Sequence, residues 1–244
     1  MMQTSLAPLP DVRPDEDRPV TVAVHQPNYL PWLGYFAKMA QADIFVFLDD
    51  VQFPQGRSYV SRTRIHSPND GTWLSIPVSR GERQLIRDVK FADPNWRRRH
   101  LQTLRHTYRR APKFDEAMDL AAEILSLETE YLCEFNIEAV TRLARHLGLS
   151  CRLQVSSSYA VDSCRDDRII ELVKAAGGTG YVSGGGGQNY QDPEKFARAG
   201  IALHVREYRP RPYQQPGSAF LPGLSIVDAL FNLGDGVHEH LRYA

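Results

Sequence analysis

Two continuous apolar runs, Val20-Thr21-Val22-Ala23-Val24 and Ile44-Phe45-Val46-Phe47-Leu48, do most to limit how this chain folds. Each has the length of a strand buried on both faces, the kind found in parallel sheets. Between them, Tyr35-Phe36-Ala37-Lys38-Met39-Ala40 can form a helix. Strand, helix and strand of this size predict a right-handed βαβ unit. The consequence is positional. His25, which ends the first run, and Asp49 and Asp50, which end the second, fall on the same edge of the sheet.

The linker after the first run, His25-Gln26-Pro27-Asn28-Tyr29-Leu30-Pro31-Trp32-Leu33-Gly34, is longer and more polar than a connection needs. Strand ends of α/β proteins deliver side chains to ligands, and the N–H groups that open the next helix can receive an anion. His25 can serve as base, acid or phosphate ligand, because imidazole titrates near neutral pH. Gln26 and Asn28 offer amide donors and acceptors for recognition. Asp49 and Asp50 either bind a substrate amine or hydroxyl, or cap the next turn. Gln52, Arg57 and Arg62 lie just beyond, where arginine suits a carboxylate or phosphate.

Composition narrows the class. The chain has 244 residues, 42% hydrophobic and 24% charged, as soluble globular proteins do, and its formal net charge is zero. A nucleic acid or an acidic membrane would therefore have to be met by a local patch. No apolar run reaches membrane-spanning length. Cys133, Cys151 and Cys164 show no C-x-x-C spacing, and their odd number argues against a disulfide framework, so a reducing cytoplasm is expected. Cys133 and Cys151 read as packing residues, while Cys164 beside Arg165 is the one to test. No cluster has metal-ligand spacing.

Residues 1–18 hold prolines and acids without an apolar core and read as a disordered leader before a single α/β domain over 19–244. Short strands are expected at 58–64, 72–78 and 85–91, with Asp70-Gly71 marking a turn. A helical segment covers about 95–148, with Asn95 as a cap, Pro112 as a break, helices at 114–126 and 128–147, and Gly148 as the stop. Strands at 151–155, 180–183 and 201–205 then alternate with helices at 165–176 and 192–199. A proline-rich loop leads to a helix at 225–233, where Ser225 is an N-cap and Asp228 sits close to a capping-box position. The fold class is α/β, a Rossmann-like and mostly parallel sheet with a helical insertion.

Two further features bear on chemistry. Ser183-Gly184-Gly185-Gly186-Gly187-Gln188-Asn189-Tyr190 follows a strand, so its backbone can approach a ligand closely or act as a flexible lid. It lacks a nucleotide fingerprint. Arg97, Arg98, Arg99, His100, Arg105, His106, Arg109 and Arg110 load one helix with positive charge, a solvated face or a docking face for a phosphate-bearing partner such as a carrier-protein arm, coenzyme A or tRNA.

The decapeptide, with residues 42–46 and Leu48-Asp49-Asp50-Val51-Gln52-Phe53, resembles the WbqC-like family. So do Trp73-Leu74, Pro77-Val78, Tyr181-Val182-Ser183-Gly184, Leu224-Ser225-Ile226-Val227-Asp228 and Phe231-Asn232-Leu233-Gly234. The resemblance implies a place in O-antigen, surface-sugar or specialised-metabolite biosynthesis, with a glycine-transferring role. Where the family pattern places a lysine after Val-Gln-Phe, this chain has Gln55 or Gly56, so no role for that lysine carries over. The opening strand and helix are also similar to the nucleotidylyltransferase superfamily, but Trp32 or Leu33 and Tyr35 stand where its histidine pair would be.

These readings together give an acyl- or aminoacyltransferase acting on an amine of a sugar or natural-product intermediate, with no cofactor required. In it His25 accepts the amine proton. Asp49 orients the amine or His25, and Gln26, Asn28 and Ser183 hold the acyl carbonyl or a nucleotide sugar. Arg57 and Arg62 bind phosphate or carboxylate, and Tyr29, Trp32, Asp50, Gln52, Gly184, Tyr190, Ser225, Asp228 and Asn232 complete the binding set. The alternatives are an ATP-dependent amide ligase or nucleotidyltransferase, and a non-catalytic scaffold docking through its basic helix.

Overall fold

The computed structural model describes residues 18–68, 70–186, 191–217 and 219–243. Of the expected leader only Arg18 is among them, and its guanidinium pairs with Asp43. The first apolar run becomes β1 (Thr21–His25), followed by helix α1 (Leu33–Met39) and β2 (Ile44–Phe47). β1 and β2 pair in parallel, with Val22 opposite Ile44 and His25 opposite Phe47. All of β2 is buried and β1 is open only at its ends, which explains why neither run alternates.

Two antiparallel pairs follow: β3 (Arg62–Ile65) with β4 (Thr72–Ser75), and β5 (Val78–Ser79) with β6 (Lys90–Phe91). The three strands expected between 58 and 91 are thus shortened and regrouped. Pro77 has no N–H to donate and falls between the two pairs, and a 3-10 turn at Ile86–Asp88 replaces the middle of the last expected strand. Helices α2 (Trp96–Tyr108), α3 (Phe114–Leu125) and α4 (Leu132–His146) come next. α4 starts later than 128 because Tyr131 bridges to Lys90 and Leu132 N donates to Val89 O at 2.9 Å, which holds the chain extended there. Asn95 occupies the N-cap position of α2, yet its side chain caps nothing.

β7 (Arg152–Val155), α5 (Arg165–Ala175), β8 (Gly180–Gly184), α6 (Pro193–Arg198) and β9 (Ala202–Arg206) restore the alternation before α7 (Ile226–Leu233). The main sheet has the order β7-β2-β1-β8-β9, every neighbour parallel, which is a Rossmann-like α/β arrangement. Phe45, Phe47 and Val182 pack on one face with Phe36 and Leu143, while Val24, Val46 and Tyr181 pack on the other with Val173 and Phe196. From β1 the chain winds outward through β2 to β7, then returns to the opposite side of β1 with β8. The order reverses between β1 and β8, and there the connections leave in opposite directions, opening a crevice beyond the strand ends.

Candidate functional site

That crevice holds a cavity of about 1140 Å³. His25 and Gln26 reach it from the end of β1, Ser183 and Gly184 from the end of β8, and Arg206 from the end of β9. Trp32 comes from the loop after β1, Lys38 from α1, and Arg165 and Arg168 from the start of α5. Its position and mixed polar and aromatic lining are those of a small-molecule site.

The loop after β1 is fixed from several sides. Asn136 of α4, with no exposed surface, donates from Nδ2 to Pro27 O at 2.8 Å and to Val60 O at 2.7 Å. Leu30 sits at φ 38°, a strained conformation for a branched side chain, and its carbonyl receives Thr63 Oγ1 at 2.9 Å and Ser225 Oγ at 2.7 Å. Ile226 N donates to Pro31 O at 2.7 Å. The indole of Trp32 then lies across the start of α1, so closely that a Cβ on Gly34 would stand 2.3 Å from Trp32 Cζ2. Glycine is required there, and the helix start expected to receive an anion is covered by the ring instead.

His25 Nδ1 donates to Gln26 O at 3.1 Å. A carbonyl only accepts, so Nδ1 carries the proton and Nε2 the lone pair. Burial, helped by the charge of Lys38, lowers the His25 pKa to about 4 against the opposing pull of the Gln26 carbonyl. His25 is thus neutral at pH 7 and a hydrogen-bond acceptor more than a strong base. Lys38 is 7% exposed, and its Nζ donates to Val24 O at 2.9 Å and lies 5.6 Å from the Tyr181 ring centroid. Burial lowers its pKa to about 8, so a real fraction of it is neutral amine near physiological pH.

Trp32 meets Tyr208 edge-on at 5.4 Å and Tyr208 meets Tyr243 at 5.8 Å, giving one aromatic wall. Ser183, 2% exposed, donates to Gln191 Oε1 at 2.6 Å. Arg168 Nη2 is committed to Asp50 at 2.6 Å, whereas Arg165 and Arg206 are exposed. Arg165, at φ 54°, is a strained residue on the cavity wall itself.

The cavity therefore gathers His25, Gln26, Trp32, Ser183 and Gly184 from the residues expected on sequence grounds. The others lie elsewhere. Asp49, 6% exposed, accepts from Ser157 N at 2.9 Å, Ser157 Oγ at 2.5 Å and Ser156 Oγ at 3.0 Å, so it caps the turn after β7. Asp50 takes Arg168 and Ser156 Oγ. His25 Nδ1 is turned to the Gln26 carbonyl rather than to Asp49. Tyr29, 1% exposed, is in the core against Trp96 and Phe135, with its hydroxyl 2.8 Å from His100 Nδ1. Asn28 is buried, Gln52 bridges to Leu85, Arg57 is exposed, and Arg62 stacks on Trp73 at 4.0 Å. None of these lines the cavity.

Ser225, Asp228 and Asn232 form a separate polar knot. Ser225 caps α7 through Val227 N, and Asn232 Nδ2 donates to Asp228 O at 2.7 Å. Asp228 is no capping-box residue: wholly buried, it accepts from Tyr108 at 2.9 Å, Tyr213 at 2.7 Å and Gln215 at 2.8 Å. Tyr190 lies outside the described residues, as does the glycine-loop segment 187–189. In α2, Arg98 and Arg105 are exposed, as are Arg109 and Arg110, which lie just past its end, but Arg97 turns inward onto the rings of Phe91 and Trp96, and His100 is buried. Burial raises the Cys133 thiol pKa and pushes that of Cys151 up to about 12, while Cys164 is exposed.

Lys38, Arg165, Arg168, Arg206, Glu207 and Tyr208 are among the cavity residues that sequence reasoning missed. The available signal was Lys38 itself, a single lysine among the apolar residues of a short helix. Among the described residues no group of three His, Cys, Asp or Glu side chains is placed to hold a metal, and no helix is long and apolar enough to cross a membrane.

No solved structure matches the chain. The uncharacterized protein Rv1507c of Mycobacterium tuberculosis is 34% identical over 227 residues, covering 91% of this chain and 97% of the relative. The model of the WbqC-like protein family matches residues 26–239, from the first cavity loop to beyond α7, and the chain belongs to that family.

Proposed function

We propose that this protein transfers an acyl group, an aminoacyl group such as glycyl included, to an amine on a sugar or natural-product intermediate bound in the cavity. The observation that carries the reading is His25, held neutral by burial at the wall of a cavity at the sheet's switch point, with the imidazole lone pair on Nε2. An attacking amine must present its lone pair to the acyl carbon while one N–H is held by an acceptor, and a neutral imidazole fits that task. Gln26 and Ser183 supply amide and hydroxyl groups for the acyl carbonyl, and the aromatic wall of Trp32, Tyr208 and Tyr243 suits a sugar or base face. The exposed arginines of α2 are the proposed approach for an anionic donor carrier.

The test is direct. The purified protein is mixed with glycyl thioester or glycyl adenylate and an amino-sugar nucleotide, and amide product is sought by mass spectrometry. Product from the native protein that is lost in His25→Ala supports the reading; full transfer by His25→Ala removes the mechanism. Absence of amide with either donor, combined with calorimetric binding of magnesium–ATP, replaces it with the amide-ligase alternative.

A further inference from the structure

Lys38 is the one buried lysine of a chain that uses arginine almost everywhere else; the sequence has only five lysines. Lys90, Lys113 and Lys195 sit at the surface in ion pairs with Glu130, Glu116 and Asp167. Lys174 is exposed. Lys38 instead is 7% exposed on the cavity wall, with no ion-pair partner among the described residues and a single carbonyl, Val24 O, holding its Nζ. A buried ammonium without a carboxylate is costly, and folds that keep one commonly use the amine it becomes. Arginine in its place would stay charged and could do no such chemistry.

We propose that Lys38 is a carbonyl-reactive amine, which forms an imine with a small anionic aldehyde or ketone admitted to the cavity. The Nζ lone pair forms a C–N bond to the carbonyl carbon as the C–O π pair moves onto oxygen. Both N–H protons of the amine pass to that oxygen, the C–O bond breaks, and water leaves, so no oxidant or further reactant enters. His25 on the same wall carries a proton-accepting Nε2 that can relay one of those protons. Arg165 and Arg206, both exposed at the cavity and without ion-pair partners among the described residues, supply the charge complement for a carboxylate or phosphate on the ligand. A pKa near 8 raises the neutral fraction of Lys38 at pH 7 on the order of 100-fold above that of an ordinary lysine. This activity stands apart from acyl transfer, and its test uses no acyl donor.

The probe is glyoxylate with sodium cyanoborohydride at pH 7, which fixes an imine as N-carboxymethyl-lysine, mapped by peptide mass spectrometry. The expected result is Lys38 labelled at least tenfold faster than Lys90, Lys113, Lys174 and Lys195, mapped in the native protein so that no variant need fold. Arg206→Ala is expected to slow labelling by glyoxylate several-fold and leave labelling by neutral glycolaldehyde unchanged. Labelling of Lys38 no faster than that of the four surface lysines overturns the proposal. Equal loss of both aldehydes in Arg206→Ala overturns the anionic assignment alone.

Discussion

Replacing Lys38 with methionine should stabilise this protein at neutral pH, and the gain should disappear as the pH rises. The unfolded chain keeps a lysine charged up to about 10.5, whereas the folded protein lowers that value to about 8 because the ammonium is buried. The folded state therefore disfavours the protonated form, and below pH 8 it carries the full penalty. A fall of that size corresponds to about 3 kcal/mol. Stability contributed through this group rises between pH 8 and 10.5, as folded Lys38 sheds its proton ahead of the unfolded chain.

Methionine fills similar volume without charge. It also removes the Nζ bond to Val24 O, and losing that donor costs about 1 kcal/mol. The net expectation is a variant more stable by about 2 kcal/mol at pH 7, which is roughly 4–8 °C in melting temperature for a chain of this length. Near pH 10 the remaining penalty and the lost hydrogen bond cancel, and the two proteins unfold together. Urea unfolding of both at pH 7, 8.5 and 10 measures this, because the surface lysines and tyrosines titrate alike in each and drop out of the difference. A variant less stable at pH 7, or a difference that is flat with pH, would refute the idea that Lys38 holds an uncompensated buried charge.

Three other outcomes follow from the same geometry. Burial lowers both His25 and His100 to about 4, so the unfolded chain takes up protons from about pH 6.5 downward while the folded chain does not; stability should fall between pH 6.5 and 4, by up to about 3 kcal/mol per histidine, and His25→Gln should remove roughly half of the dependence. Asn136→Leu leaves the buried carbonyls of Pro27 and Val60 without their donor and should cost about 2–4 kcal/mol in urea unfolding; a neutral result would mean that the loop is held without it. Gly34→Ala drives a methyl into the Trp32 indole and should displace it, seen as a shift in emission that a Trp32→Phe background abolishes, at a cost of about 1–3 kcal/mol. Unchanged emission would contradict the close approach.

Some of this was legible in the residues. The apolar runs ending at Val24 and Leu48 state both their strand character and their parallel pairing, because burial on both faces leaves no alternation. The placement of His25 at the carboxyl edge follows from that alone. What pattern cannot give is a partner more than a hundred positions away: Asp49 and Asp50 look unclaimed until Ser156, Ser157 and Arg168 are brought to them. Tyr29 misled for the opposite reason. Its loop is polar, yet the chain enters the core at that residue, where α2 supplies His100 and Trp96. Lys38 was hidden by its type, since a lysine in a short helix reads as surface until α1 is seen to be buried along its whole length.

Of the charged groups that line the cavity, Arg168, Asp166 and Glu207 are already engaged by Asp50, Asp192 N and Arg209, which leaves Lys38, Arg165 and Arg206 to orient what binds. At the wall, His25 and Lys38 are both pushed toward neutrality by burial, and the charge of Lys38 further depresses His25. Lys38, with a pKa of about 8, still carries its charge for most of the time at pH 7, and that charge, added to burial, keeps His25 neutral with Nε2 as an acceptor. At the opening, Arg165 and Arg206 remain exposed and cationic. An anionic ligand is drawn to those exposed guanidinium groups, where its carboxylate or phosphate keeps more of its hydration than it would at the buried end. Its uncharged portion then points inward, toward Nε2 of His25 and Nζ of Lys38. Acyl transfer to an amine and imine formation at Lys38 both require that polarity, and a ligand with its charge at the reacting end would satisfy neither.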